Sequence, residues 1–364
     1  MRPLLNPIRP YAWGSRTAIA ALQGRPGPTV EPEAELWMGA HPAAPSTFDD
    51  GAGLTPDLFG AEVTARFGNR LPYLLKVLAA AEPLSLQAHP DADQAAEGYA
   101  SGHPSYVDPH HKPELLVARS DFDALCGFRD PSLTAELLGS FGVPELAPVV
   151  EALRGGSLRE AVRRILTWPG PDRADLVDQV TKAGASGPTP GHALAADLGR
   201  RYPGDVGVVV ALLLNQVRLS PDEAVFMPAG NLHAYLHGVG IEIMAASDNV
   251  LRGGLTPKTV DVPELLRVLR YEVLADPVLR PTTVAPGILT WPTPVAEFAL
   301  HKAVAPASLP GGGPRIVVAV EGSGQVSTGP SVLPLSAGQS VFVSPAEGAV
   351  TLTGTLVAFQ ASVP

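Results

Sequence analysis

The chain has 364 residues and a formal net charge of −10, with no block of like charges. This length allows two or three domains, and the acidic balance argues against a nucleic-acid partner. The 39 prolines and 37 glycines favour many short strands and turns over a helical bundle. Because Cys126 is the only cysteine, no disulfide can form within the chain, and a reducing cytoplasm is the expected compartment. No apolar run reaches the length of a membrane span, so no membrane partner is expected.

Strand patterns at both ends of the chain are separated by a helical segment. Residues 61–78 pass from a short helix into a strand, residues 92–101 are predicted to be helical, and residues 110–118 run from a loop into a strand. After Arg129 the pattern becomes helical, with a capping box at Ser157 and Glu160 and further helical stretches at 191–201 and 205–217.

Strand patterns resume at residue 222, and after about residue 275 the chain reads as strands and turns suited to a β-sandwich. We therefore predict a mainly β protein with an α-helical insert. The predicted domains are a first β domain at 1–129 and 216–275, a helical domain at 130–215, and a last β domain at 276–364.

One internal similarity suggests that the two β domains are related. Residues 219–228 resemble residues 335–344, and both segments read as a turn leading into a strand with Val-Phe at the same offset. The first copy continues to His233, whereas the second continues without a histidine. The similarity predicts two related β-barrel units with a site in the first only, although chance similarity of one strand is the alternative.

Gln87 and His89 are the first candidates for a metal site. They lie two residues apart in a predicted strand, so their side chains point to one face, about 7 Å apart. Glu114 and His233 can complete a set of two imidazoles, a carboxylate and an amide oxygen. Such a set suits zinc, with manganese, iron or cobalt as alternatives. Other histidines compete as ligands on sequence grounds: His41, His103, His110, His237 and His301.

Four basic residues lie close in sequence to these candidates, namely Lys76, Lys112, Arg252 and Lys258. In an acidic protein, basic residues near one site predict an anionic small ligand such as a phosphate. The alternative is that each pairs with a nearby acid on the surface. No phosphate-binding glycine loop or dinucleotide fingerprint is present, so a nucleotide cofactor is not supported.

The motifs together resemble those of the type I mannose-6-phosphate isomerases, also called phosphomannose isomerases. In chain order, the segments that carry the resemblance are residues 11–14, 34–42, 84–91, 111–114, 125–129, 228–235 and 241–258. The helical segment and the residues after 280 match weakly.

The resemblance implies a cupin-type jelly-roll catalytic barrel, an inserted helical domain and a C-terminal cupin-like β-barrel. It implies one Zn²⁺ per chain, held by Gln87, His89, Glu114 and His233. The implied reaction interconverts D-mannose 6-phosphate and D-fructose 6-phosphate, in mannose metabolism and the supply of GDP-mannose precursors. The expected partner is a phosphorylated hexose, and we expect a monomer.

An aldose–ketose isomerisation needs ring opening and proton transfer between C2 and C1 through a cis-enediol(ate). The family's reactive arginine falls on Arg252, whose permanent charge suits a developing enediolate. Candidate acid–base groups are His111, Lys112, Glu242 and Asp248, and Asp248 with His111 is preferred for ring opening. Ser85, Lys76 and Lys258 are the expected phosphate contacts. Tyr235 either stacks on substrate or packs in the core.

Two other functions remain compatible with the residues alone. A cupin oxygenase would hold iron in the same site, but Gln87 as a ligand and the basic residues disfavour it. A non-catalytic sugar-binding cupin would show no turnover, and the presence of Arg252 and Lys112 argues against it.

Overall fold

The computed structural model describes residues 1–364. The elements that precede the long helical segment are β1 (Arg2–Leu4), β2 (Ile8–Arg9), α1 (Ala18–Leu22), β3 (Glu35–Met38), α2 (Ala61–Phe67), β4 (Tyr73–Ala80), β5 (Leu86–Ala88), α3 (Ala92–Ala100), β6 (Glu114–Ala118) and β7 (Phe122–Phe128). The helical segment contains α4 (Pro131–Ser140), α5 (Ala147–Arg154), α6 (Leu158–Leu166), α7 (Arg173–Ser186), α8 (Pro190–Arg201) and α9 (Gly207–Ala211).

The remaining elements return to strands. They are β8 (Leu214–Leu219), β9 (Ala224–Met227), β10 (His233–Ala245), β11 (Leu251–Gly254), α10 (Val262–Val268), β12 (Thr282–Ala285), β13 (Ile288–Thr290), β14 (Ala299–Val304), β15 (Ala307–Leu309), β16 (Arg315–Glu321), β17 (Ser323–Thr328), β18 (Ser331–Ser336), β19 (Ser340–Val343), β20 (Val350–Gly354) and β21 (Val357–Ser362). Short 3₁₀ turns lie at Pro56–Leu58, Pro144–Leu146 and Gly170–Asp172. The protein is therefore mainly β, as the sequence predicted.

A ten-stranded sheet, formed by β2 to β11, carries the candidate site. Its longest strand, β10, pairs with β4, β5, β6 and β7. All eight residues of β4 are buried, so this strand runs through the core of the sheet. The pairing places Glu242 beside Lys76 and His233 beside Gln87. β10 thus brings together residues that are far apart in the sequence.

The C-terminal strands form a seven-stranded and a four-stranded sheet. Apolar side chains of the seven-stranded sheet, including Ile316 and Phe359, share one core with Leu75 and Ile243 of the ten-stranded sheet. β1 pairs with β19, so the first strand of the chain extends the C-terminal sheet rather than the sheet of its sequence neighbours.

The helical segment is uninterrupted by strands from α4 to α9, and its apolar faces form one large core. No helix of the chain is both long enough and apolar enough to cross a membrane.

The predicted helix at 205–217 is wrong at its C-terminal end. Only Gly207–Ala211 is helical, and β8 starts at Leu214 and pairs with β7. In β8, Leu214, Val217 and Leu219 are buried between more exposed residues. The preceding Val/Leu run masks this change, because a short apolar run fits a buried helix and a strand equally well.

The internal similarity extends to the backbone of the two turns. Asp222 has φ of 74° and Gly338, at the same offset, has φ of 81°. The next side chain, Glu223 or Gln339, accepts a hydrogen bond from the main-chain N–H three residues earlier, at 3.0 and 2.9 Å respectively. Each turn leads into a strand, β9 or β19. The two turns therefore share the same backbone conformation and the same side-chain hydrogen bond. The relation between the two whole barrels stays a prediction.

Candidate active site

A cleft of about 950 Å³ opens on the ten-stranded sheet. Ten of the residues predicted from the sequence line this cleft: Lys76, Ser85, Gln87, Lys112, Glu114, Tyr235, Glu242, Asp248, Arg252 and Lys258. His89 and His233 are fully buried next to Glu114. The fold therefore gathers segments from β4, β5, β6, β10 and β11 around one cavity.

His89, Glu114 and His233 form a compact triad. One ligand atom from each lies within 4.8 Å of the others. The Nε2 atoms of His89 and His233 lie 3.3 Å from the two different oxygens of the Glu114 carboxylate. None of the other histidines proposed as competing ligands belongs to this triad.

The two imidazoles are fixed with their Nε2 atoms towards the carboxylate. Nδ1 of His89 lies 2.7 Å from the main-chain oxygen of Asn249, and Nδ1 of His233 lies 3.1 Å from that of Asn231. A carbonyl oxygen can only accept, so Nδ1 donates in both rings and Nε2 keeps its lone pair. Burial lowers the pKa of His89 to about 4, which keeps its ring neutral at pH 7.

Three buried acceptors thus face one another without a donor between them. Nε2 of His89, Nε2 of His233 and Oε2 of Glu114 have no hydrogen-bond partner. Buried polar atoms are rarely left in this state, because each costs about 1–3 kcal/mol. A cation among the three atoms would satisfy all of them, and neutral imidazole with carboxylate is a donor set that zinc accepts.

Glu114 remains charged despite its burial. Burial by itself raises the pKa of a carboxyl group, but the Lys112 ammonium, 2.9 Å from Oε1, and the nearby His89 outweigh it. The pKa of Glu114 therefore lies well below its usual value. Lys112 is itself buried and neutralises part of the negative charge that the triad would present to a cation.

Gln87 lies beside the triad. In the sheet it pairs with His233 on one side and with Arg252 on the other, and it lines the cleft. Its amide oxygen is available as a fourth ligand, because no hydrogen bond occupies the side chain. The four-residue ligand set stays a prediction at this point.

A chain of buried polar groups also lines the cleft. Lys76 donates to Oε2 of Glu242 at 2.9 Å, and the Tyr235 hydroxyl donates to Oε1 of the same carboxylate at 2.9 Å. Glu35 lies on the other side of Lys76, at 3.5 Å, and accepts from the indole N–H of Trp37 at 2.7 Å. Both oxygens of Glu242 therefore accept a hydrogen bond, and Lys76 and Tyr235 fix the direction of this carboxylate.

Charge interactions in this chain shift the pKa values in a consistent way. Burial lowers the pKa of Lys76, but Glu242 and Glu35 outweigh it and the pKa is raised, so Lys76 stays an ammonium. Burial raises the pKa of Glu242 in spite of Lys76, and burial beside Glu242 raises that of Tyr235 well above its ordinary value. Sequence reasoning missed Glu35, for which the only signal was a lone carboxylate in an apolar strand.

Asp248 and Arg252 also line the cleft, and their charged groups have fewer partners than Lys76 and Glu242. Asp248 contacts the buried His41 at 3.3 Å, which lowers the pKa of the carboxyl group, and it also feels Lys112 and Lys76. Arg252 is half-buried, and burial lowers its pKa. Neither Arg252 nor Lys258 has an acidic partner, so the alternative that each cation pairs with a surface acid does not hold for these two.

His111 does not join the other candidates. Its Nε2 lies 2.7 Å from Oε1 of Glu297, in the C-terminal part of the chain, and it does not line the cleft. In the loop before Glu114, the adjacent side chains of His111 and Lys112 diverge, so Lys112 reaches Glu114 and the cleft while His111 faces Glu297. The sequence motif could not distinguish the two directions.

Comparison with known proteins gives the family. The model for the catalytic domain of phosphomannose isomerase type I matches residues 1–131. Mannose-6-phosphate isomerase of Escherichia coli (strain K12) is 37% identical over 381 residues, which cover 97% of this chain and 97% of that protein. The chain belongs to the type I phosphomannose isomerase family. Mannose-6-phosphate isomerase 1 of Arabidopsis thaliana is 32% identical over 94% of this chain and 89% of its own length.

Solved structures of the family share the whole fold. A mutant of phosphomannose isomerase from Salmonella typhimurium superposes with a TM-score of 0.93 at 34% identity, over 100% of this chain and 99% of that one. A mannose 6-phosphate isomerase bound with zinc and yttrium gives a TM-score of 0.91 at 34% identity, with the same coverage. Membership of this family makes the chain an isomerase, and the oxygenase and non-catalytic alternatives lose their support.

Proposed function

We propose that this phosphomannose isomerase family member interconverts D-mannose 6-phosphate and D-fructose 6-phosphate with one Zn²⁺ held by Gln87, His89, Glu114 and His233. The observation that carries the proposal is the triad of unpartnered acceptor atoms beside a cleft with free cationic groups. When bound, zinc would supply a positive charge that polarises substrate oxygens without redox chemistry. The reaction would serve mannose metabolism, including the supply of GDP-mannose precursors.

Asp248 is the residue proposed to accept a proton during ring opening. Its lowered pKa keeps it ionised, its side chain is half-exposed in the cleft, and only one of its oxygens contacts His41. Glu242 accepts hydrogen bonds from Lys76 and Tyr235 and is proposed to orient these two side chains instead. His111 is left out of the mechanism, because it faces Glu297.

Arg252 is proposed to stabilise the enediolate. Its guanidinium lines the cleft next to Gln87 in the sheet and has no carboxylate partner to compete with an anion. A fixed positive charge in a partly buried cleft is worth more than one in water and needs no reorganisation during the reaction. Lys112 is proposed to act through Glu114, to which it donates at 2.9 Å.

The phosphate is proposed to contact Lys258 and Ser85. Lys258 is exposed at the cleft and has no ion partner, whereas Ser85 lies at the start of the strand segment that leads to Gln87. Lys76 suits this role less well than the sequence suggested, because its ammonium is enclosed between two carboxylates.

A coupled assay for fructose 6-phosphate formation from mannose 6-phosphate tests the proposal. We expect turnover by the zinc-loaded protein and its loss on chelation. Arg252→Ala should lower kcat by about 10²–10³-fold with zinc retained, as the removal of one electrostatic donor does elsewhere.

Arg129 offers a matched control, since it is also half-buried and without an acidic partner, but it lies outside the cleft. Arg129→Ala should retain kcat. An equal loss of kcat in both variants would contradict the role given to Arg252.

A further inference from the structure

Asn249 is fully buried and is the most extensively bonded polar side chain around the cleft. Its Oδ1 accepts from the main-chain N–H of Val107 at 2.8 Å. Its Nδ2 donates to the main-chain oxygens of Asp108 at 2.7 Å and His110 at 2.9 Å. All three partners belong to residues 101–113, a loop without helix or strand between α3 and β6. One side chain therefore fixes the middle of this loop.

The loop is part of the cleft. Pro104, Ser105, Val107 and Lys112 line the cavity, and the loop ends directly before Glu114. Because the loop has no regular hydrogen-bond ladder of its own, its position depends on bonds such as those of Asn249.

The same residue holds a member of the triad. The main-chain oxygen of Asn249 accepts from Nδ1 of His89 at 2.7 Å and so sets the direction of its Nε2. Ser247 reinforces the arrangement, since its hydroxyl contacts Asp108 Oδ1 at 2.9 Å and the His110 main-chain oxygen at 3.0 Å. The side chain and the main chain of Asn249 therefore act on two different parts of the site.

We propose that Asn249 is a positioning residue that couples His89 to the cleft wall formed by residues 101–113. This inference rests on the proposed zinc site, because the direction of His89 matters only if its Nε2 binds a cation. Loosening the amide shifts the main chain at residue 249, and that shift weakens the hold on the imidazole and on the loop together. Groups that orient a ligand imidazole in this way typically change metal affinity by about 10–100-fold when they are altered.

The test is the zinc dissociation constant of Asn249→Asp, measured by competition with a chromogenic chelator. The replacement keeps the size of the side chain but loses both N–H donors and adds a carboxylate 3.3 Å from Oδ1 of Asp108. We expect zinc to bind about 10–100-fold more weakly, together with a raised KM for mannose 6-phosphate. Ser247→Ala is a milder variant that retains Asn249, and it should shift both quantities in the same direction by less.

Asn215→Asp is the matched control. Nδ2 of Asn215 also contacts main-chain oxygens, including those of Cys126 at 3.1 Å and Leu274 at 2.8 Å, but Asn215 contacts neither His89 nor the loop. It should lower the unfolding temperature while zinc affinity stays near that of the wild type. Unchanged zinc affinity in Asn249→Asp and Ser247→Ala, or equal weakening in Asn215→Asp, would overturn the proposal. Wild-type protein that binds zinc without isomerising the substrate would overturn only the proposed function.

Discussion

Lys76 is enclosed by two buried carboxylates, and its removal gives a pH-dependent loss of stability. The Lys76 ammonium lies 2.9 Å from the Glu242 carboxylate and 3.5 Å from that of Glu35. In Lys76→Met both carboxylates lose this cation and remain buried. Breaking a buried ion pair by removing one partner costs about 3–5 kcal/mol, and we expect a loss of this size at pH 8.

The sign of the pH dependence follows from Glu242. Burial raises the pKa of Glu242 in the folded wild type, and the Lys76 ammonium partly offsets this effect. In the variant that offset is lost, so the pKa of Glu242 rises further. A carboxyl group whose pKa is higher in the folded than in the unfolded state stabilises the fold below its unfolded-state pKa. This contribution to the free energy of unfolding is lost as the pH rises through the folded-state pKa. The pKa of Lys76 is also raised, so in the wild type its contribution persists across neutral pH. The variant should therefore be closest to the wild type near pH 5 and fall away towards pH 8.

Urea unfolding of wild type and variant at pH 5, 6, 7 and 8, with zinc content checked at each pH, measures this difference. Lys182→Met is the control, because Lys182 pairs with Asp178 on the surface, where both side chains are more than half exposed. The control should change stability by about 0–1 kcal/mol at every pH. A Lys76→Met loss that is equal at pH 5 and pH 8, or no larger than that of the control, would refute the reasoning.

Three further outcomes are expected. Tyr235→Phe removes the donor to Glu242 and should cost about 1.5–3 kcal/mol with zinc retained, whereas Tyr73→Phe, whose hydroxyl donates to a neutral carbonyl, should cost about 1 kcal/mol; equal costs in urea unfolding would contradict the charged network. Chelation should lower the unfolding temperature, because zinc at 100 times its dissociation constant stabilises by about 2.7 kcal/mol; calorimetry with zinc added back checks this, and an unchanged midpoint would argue against the site. Lys258→Ala should raise KM for mannose 6-phosphate with kcat little changed, since it removes binding common to ground and transition states; a selective loss of kcat would place Lys258 in the chemistry instead.

The order of strands and helices could be predicted from the sequence because burial patterns and caps are local. The N-cap at Ser157, which accepts from the main-chain N–H of Glu160, and the strand that ends before Pro90 both follow from neighbouring residues. The second half of the predicted capping box does not form, because the Glu160 carboxylate accepts from Arg163 and Arg164. The boundary at Leu214 could not be placed, since a short apolar run suits a helix and a strand alike. The pairing of β1 with β19 depends on residues at opposite ends of the chain, which no local pattern reports.

In the candidate site, too, local features could be predicted from the sequence and contacts between distant residues could not. The spacing of Gln87 and His89 suggested one shared face, the residue types of Glu114 and His233 completed a ligand set, and the family resemblance implied the same four residues. The partners that decide their chemistry lie elsewhere: Asn249 holds His89 through a main-chain oxygen, and any residue type provides such an oxygen. For the same reason the sequence could not show that His111 faces Glu297 or that Glu35 completes the bonds around Lys76.

The most direct test of the account measures isomerase activity against zinc content in one preparation. Metal-free protein is titrated with zinc, and fructose 6-phosphate formation from mannose 6-phosphate is followed at each step for the wild type and for His233→Ala. The account predicts that wild-type activity rises with zinc up to one ion per chain and that His233→Ala neither holds zinc tightly nor gains activity. A wild-type protein that binds one zinc and forms no fructose 6-phosphate would contradict the central claim.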